Sequence, residues 1–469
     1  MQKKRPQWAF YVVTMGISIA LLVGILNIGP EANVIAVTTT KSLSWPELML
    51  QEFVKNMEVP LTSLLIQILV ILVFSRMCAL VLKFMGQPQV IGEMIAGILL
   101  GKSVLALMWP SGFASLFPES SMPRLYFLSQ MGLIFFMFVV GLELKIADLK
   151  ERASTAILVS HVSIIVPFLF GSLIAHGLYE NYGPANFSFS SFALFMGIAM
   201  SITAFPVLAR IIQERGLTNT HLGSMAITCA AVDDATAWCV LAAVLGIVKA
   251  GTAITAVGIL ALAIVYVMIM LKIIKPIILK VLQPAMIDGK FTRGQLAFVF
   301  AVVLGSALVS EIIGIHALFG AFLAGAVMPQ SVLLRTSLIG KIEDLCTIVL
   351  LPLFFAYTGI RTQISLLDSW SSWFICGGII VCAITGKMVG SALAARWSGV
   401  EWRESWALGA LMNTRGLMEL IVLNIGYDLG ILSPEIFAMM VVMAIVTTIM
   451  AGPLLSLLSG PGGDLKTFA

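Results

Sequence analysis

Charge is what this chain has least of. Asp, Glu, Lys and Arg make up 11% of its 469 residues and hydrophobic residues 59%, whereas a soluble domain carries about 25% charge. That scarcity excludes an ordinary soluble enzyme, and no nucleic-acid partner is expected. Histidine is nearly absent too, with four dispersed copies that offer no metal site. The six cysteines, Cys78, Cys229, Cys239, Cys346, Cys376 and Cys382, all fall inside apolar runs and none forms a CxxC. They read as small apolar residues, which argues against disulfides and structural zinc. No GxGxxG unit stands in a βαβ context, so no nucleotide cofactor, and no other, is expected.

What the chain does have is apolar runs of bilayer-spanning length, about 20 residues each. With Pro, Gly and charge taken as boundaries, about fourteen segments emerge. They centre near residues 18, 71, 98, 133, 165, 202, 235, 264, 303, 322, 350, 383, 415 and 446. The fold expected is an all-α polytopic membrane protein. Residues 1–59 read as an extra amino-terminal helix and external loop, 60–458 as the membrane domain, and 459–469 as a short cytoplasmic tail. The first apolar run, from Trp8 to about Ile28, exceeds the 7–15 residues of a signal core, so an uncleaved helix is expected.

With the amino terminus in the cytoplasm, most of the 28 basic residues fall inside, among them Lys83, Arg215, the group from Lys272 to Arg293, Arg335, Lys341, Arg396 and Arg403. The positive-inside rule then supports an even number of spans and two cytoplasmic termini. The two halves also echo each other. Ile91-Gly-Glu-Met-Ile-Ala-Gly97 resembles Leu318-Phe-Gly-Ala-Phe-Leu-Ala-Gly325, and Leu133 to Gly141 resembles Leu351 to Gly359. Each copy runs opposite to its partner across the membrane, as in the inverted repeats of secondary transporters.

Asp233 and Asp234 lie side by side within the apolar stretch from Leu222 to Val248. A carboxylate at that depth costs roughly 2.5–3.5 kcal/mol on insertion scales, so two together call for water, a cation or a counter-charge. Lys387 is equally isolated within its own span and is the expected partner of one of them. Neighbouring helix positions are about 100° apart, so the two carboxylates face different surroundings. They should titrate as a coupled system, with protons and cations competing for one site.

The repeat also pairs the segment near 202 with that near 415, and both carry polar groups and breakers at their centres. Ser201, Thr203 and Pro206 mark the first; Asn413, Thr414, Arg415 and Gly416 mark the second. Pro206 removes a backbone donor. Two broken helices crossing near the midplane would expose helix ends whose dipoles a cation or Arg415 could compensate. Glu419 stands one turn beyond Arg415, where a local ion pair is the plainer reading and a secondary role in the site the sharper one. Glu93, Glu143 and Glu311, Arg76, and the histidines 161, 221 and 316 are expected to be structural.

The strings Ser201 to Arg210, Ala231-Val-Asp-Asp-Ala-Thr-Ala-Trp238, Leu351 to Arg361 and Asn413 to Ile421 together resemble the monovalent cation:proton antiporter family. The likeness is strongest to the branch of bacterial sodium/proton antiporters and plant cation/proton exchangers, and covers residues 60–458. The resemblance implies the inverted-repeat sodium/proton antiporter fold with two crossed broken helices, a core part that moves against a dimerisation part, and a homodimer. It implies Asp234 as the carboxylate that binds cation or proton, Asp233 as the partner of Lys387, and Thr203 and the backbone near Thr414 as lining. It also implies electrogenic exchange of Na⁺ or K⁺ for protons in a bacterial-type inner membrane, serving pH homeostasis. The chain departs from many relatives in ending soon after its last helix, so gating by a nucleotide-binding tail is not expected. The rival readings are a cation channel or uniporter and a proton-coupled symporter of small solutes on the same fold. An intramembrane aspartyl protease needs its two aspartates on different helices; Tyr427-Asp428 offers a YD, but no GxGD accompanies it.

Overall fold

The computed structural model describes residues 59–459, apart from 86, 144–152, 218–219 and 251–252, together with isolated positions 16, 45, 49 and 56. The predicted first helix, the 1–59 segment before the membrane domain and the 459–469 tail therefore lie essentially outside the described residues. Within them the chain is helical throughout. The spans are α1 (Pro60–Phe84), α2 (Gln89–Leu100), α3 (Met122–Glu143), α4 (Ala153–Tyr182), the half-helices α5 (Phe189–Ser201) and α6 (Phe205–Glu214), and α7 (His221–Ala250). They continue as α8 (253–288), α9 (Arg293–Ile313), α10 (Ala317–Ala326), α11 (332–361), α12 (370–397), the half-helices α13 (Trp402–Met412) and α14 (Leu417–Asp428), and α15 (Pro434–Ser459). Nine helices among the described residues are long and apolar enough to cross a membrane. Eleven of the expected segment centres fall on these helices, and two more, 202 and 415, fall in the breaks between paired half-helices.

The expected repeat is visible in the order: α1–α7 and α9–α15 follow the same sequence of lengths, each with one broken span in the same place, and α8 joins them. Glycine contacts test it atom by atom. A Cβ on Gly97 of α2 would sit 2.5 Å from the Ala356 carbonyl oxygen of α11, and one on Gly359 would sit 2.6 Å from the backbone of Gly97. At the matching crossing, a Cβ on Gly141 of α3 would meet the Phe322 carbonyl oxygen of α10 at 2.1 Å, and one on Gly325 would meet Phe138 at 2.2 Å. The two glycine pairs are the same contact made twice, each time between one half and the other. Both need glycine because backbone meets backbone there, as at small-residue crossings in membranes.

The helices gather into two bodies. Helices α1–α3 and α8–α11 pack on one another, and α4–α7 and α12–α15 form the other set. Arg215, Lys272 to Arg293, Arg335, Lys341, Arg396 and Arg403 lie towards one end, called here the basic end. Three long helices pass through a π turn: Met270–Ile274 in α8, Cys346–Leu350 in α11 and Thr385–Val389 in α12. Such turns recur at functional positions, and the third of these carries Lys387.

Candidate functional site

Both broken helices open where the sequence places their polar centres. The chain leaves the helix over 202–204 and again over 414–416, and the openings cross. The Ala204 N–H donates to the Thr414 carbonyl at 3.1 Å. A Cβ on Gly416 would come within 2.8 Å of a Val207 methyl, which is why the closest strand of the crossing is glycine. Pro206 is not the breaking residue: it stands in the first turn of α6, where its missing N–H would be unpaired in any case.

Four half-helix ends meet at this crossing. The carboxyl end of α5 faces two cations. Lys387 donates to the Ser201 carbonyl, and to that of Ser163 at 3.1 Å. The Arg415 guanidinium donates to the Met200 carbonyl at 2.8 Å and to Ala199 at 3.4 Å. The negative pole of α5 is thus met by positive charge, the arrangement the helix dipole favours. The carboxyl end of α13 is met by hydroxyls instead: Thr414 donates to Leu411 at 2.8 Å, and Thr203 lies 3.3 Å from the Met412 carbonyl. Carboxyl groups face the amino ends. Glu419 lies in the first turn of α14, and the Phe205 N–H that opens α6 faces Asp234.

The two aspartates have opposite surroundings although both are buried. Asp233 accepts from Ser160 at 2.6 Å, Ser163 at 2.7 Å and Thr203 at 2.5 Å, and pairs with Lys387 at 3.4 Å. Asp234 has no hydrogen-bond partner of normal geometry on either oxygen. Buried polar atoms are almost always satisfied, so an unmatched carboxyl at the crossing of two opened helices stands out as a candidate centre; the Glu419 oxygens also lack a hydrogen bond but lie against Arg415. Both side-chain polar atoms of Asn413 and the Trp238 indole nitrogen are also buried without partners.

The sequence-predicted residues are therefore together, with roles divided more finely than expected. Lys387 pairs with Asp233, as its isolation suggested. Thr203 is committed to Asp233 rather than left open beside Asp234. Arg415 and Glu419 form the expected local ion pair at 3.2 Å, both fully buried, while Arg415 also caps α5. Ser201 contributes its carbonyl to Lys387 and turns its hydroxyl back to Gly197 at 2.6 Å. Sequence reasoning missed Ser160 and Ser163 of α4, because a serine in a membrane helix carries no signal until its partner is known. Of the residues set aside, His161 contacts the Ile157 carbonyl at 2.7 Å, His221 pairs with Glu404 at 2.5 Å, and Glu311 accepts from the Ala317 N–H at 2.7 Å. These are structural contacts. No group of three metal-ligating side chains occurs among the described residues.

An inverted repeat with two crossed, opened helices and buried charge at the crossing defines a membrane secondary transporter. The chain belongs to the sodium/hydrogen exchanger family: the family model for the transmembrane part of sodium/hydrogen exchangers matches residues 64–459. It is 45% identical over 395 residues to the Na(+)/H(+) antiporter NhaS4 of Synechocystis sp., covering 84% of this chain and 96% of that protein. It is 37% identical to Cation/H(+) antiporter 17 of Arabidopsis thaliana and 34% identical to K(+)/H(+) antiporter 1 of Saccharomyces cerevisiae, covering 87% and 86% of this chain. It spans about half the length of these two, 50% and 47%. The sodium proton antiporter MjNhaP1 from Methanocaldococcus jannaschii shares the fold, with a TM-score of 0.59 at 15% identity over 87% of this chain and all of that one.

Proposed function

We propose that the chain is a secondary active antiporter that exchanges a monovalent cation, Na⁺ and/or K⁺, for protons by alternating access. The observation that carries this reading is the asymmetry of the aspartate pair. Asp233 is saturated by three hydroxyls and an ammonium and serves as the fixed counter-charge. Asp234, beside it, has only the Phe205 N–H facing it and no hydrogen bond of normal geometry; it holds either a proton or a cation. Occupancy by both at once would place two positive charges on one carboxyl in a low-dielectric site, so each displaces the other. The family and the names of its relatives support the same assignment, and the chain acts as a transporter rather than an enzyme.

Lys387 extends the scheme. When a cation arrives at Asp234, its charge opposes that of Lys387, whose bond to Asp233 is long enough to yield. Release of a second proton from Lys387 would make the exchange electrogenic. The body formed by α4–α7 and α12–α15 is the moving part, and α1–α3 with α8–α11 form the dimerisation part of a homodimer. The basic end is cytoplasmic, both termini included, and the membrane is a bacterial inner membrane.

The test uses purified protein in sealed proteoliposomes with a pH dye inside. Na⁺, K⁺ or Li⁺ is added outside for wild type and Asp234→Asn. Proton movement against the added cation, absent in the variant, is the expected result and identifies the ion. Cation flux without a proton response would mean a channel or uniporter, and proton movement with the cation would mean symport.

A further inference from the structure

The two bodies meet unequally at their two ends. At the basic end, α6 and α13 build a closed apolar cluster with α4, α7, α12 and α15, centred on Val207, Leu208, Met225 and Leu411. From the first body, Val90 alone among the described residues packs against it. At the opposite end one apolar core runs without a break from Phe195, Leu423 and Phe437 of the second body to Leu125 and Phe354 of the first.

A polar bridge crosses the same end. Arg361, the last residue of α11, donates to Asp428 of α14 at 2.6 Å and to the Asn424 side-chain oxygen at 3.3 Å. Its guanidinium carbon lies 5.3 Å from the Tyr357 ring centre and 4.5 Å from that of Tyr427, one ring from each body. Asn424 in turn donates to Thr358 of α11 at 2.8 Å. Tyr126 of α3 leans on Tyr357 with ring centres 5.5 Å apart.

We propose that this bridge is a latch that holds the end opposite the basic one shut and must part each time the second body moves. The proposal rests on the antiporter reading above. Alternating access requires that end to open so that Asp234 can exchange its ion there, and no opening of α14 away from α11 leaves these contacts intact. The strength of the latch suits repeated use. Arg361 and Asp428 keep 17% and 33% of their side-chain surface exposed, so water receives both charges as they separate. A pair of that kind shifts an equilibrium by about two- to five-fold, enough to bias the resting state and too little to stall the cycle. The buried Asn424–Thr358 bond adds register, since it closes only when α14 returns to one position.

The test pairs Thr358→Cys with Asn424→Cys in proteoliposomes, bridged by oxidation or by a mercuric ion. The bridge is expected to form, to stop exchange and to release it on reduction, while the same reagents leave the exchange of either single variant unchanged. Failure to bridge with both reagents, or a bridged protein that exchanges at the unbridged rate, would overturn the latch. Asp428→Asn supplies a second readout. By population arithmetic it should lower, by about two- to five-fold, the cation concentration for half-maximal exchange offered at the latched face. A smaller opposite change is expected at the basic face; equal changes on both faces, or none, would overturn the proposal. A wild type that moves no protons against any cation would defeat the antiporter reading instead, so the two failures are distinct.

Discussion

Asp233 takes hydrogen bonds from α4 and from the opened stretch before α6 and pairs with Lys387 of α12, so three elements fix a single carboxylate. Removing one donor should loosen it without erasing it. Ser163→Ala removes its hydroxyl bond and leaves Ser160, Thr203 and Lys387, so exchange should continue with an altered pH profile; an unchanged profile would make the serine a packing residue only. Lys387→Ala is a larger change, since it strands Asp233 and uncovers the Ser201 carbonyl. It should alter the pH profile or the charge moved per cycle, read by solid-supported-membrane currents, and no change in either would break the Lys387 link. The charged members of the site were legible because an isolated charge in an apolar span has to be answered by another. Thr203 was legible from its place in the break, but the α4 serines were not, because a serine satisfies itself on its own helix as readily as across to another.

At the scale of elements, the breaks were legible from polar groups clustered at matched positions of the two halves, but their boundaries were not. Pro206 looks like the breaker, yet the chain opens before it and the proline starts the new helix. The π turn that carries Lys387 had no signature, since Gly386 alone does not distinguish it from a regular turn. In the structure Gly386 lies against α4, where a Cβ would come within 3.0 Å of the Phe170 ring and 3.1 Å of Pro167. The glycine crossings give a stability prediction. Gly97→Ala forces backbone apart at α2 and α11 and should destabilise by about 1–3 kcal/mol, the usual range for overpacking. Gly378→Ala in α12 meets nothing within 4 Å and should hold or raise the unfolding temperature, because alanine favours the helix. Equal melting of both variants in detergent would show that the crossing tolerates separation.

Over the whole molecule, the inverted repeat was legible from two short echoes in the right order, and the glycine pairs tie the two halves at those echoes. The division into two bodies was not legible from residues, because both are apolar throughout and only packing tells them apart. The proposed orientation rests on where the basic residues gather. Lys290→Cys, in the connection between α8 and α9, should react with a membrane-impermeant thiol reagent only from the cytoplasmic side, and labelling from outside would invert the molecule.

The central claim is that one carboxyl serves proton and cation in turn. It is tested most directly by adding Na⁺ or K⁺ to the purified protein in weakly buffered detergent with a pH indicator. Wild type should release protons as the cation binds, less readily as the starting pH is lowered, and Asp234→Asn should release none on binding. Cation binding with no proton release, or release that survives in Asp234→Asn, would contradict a shared site at Asp234.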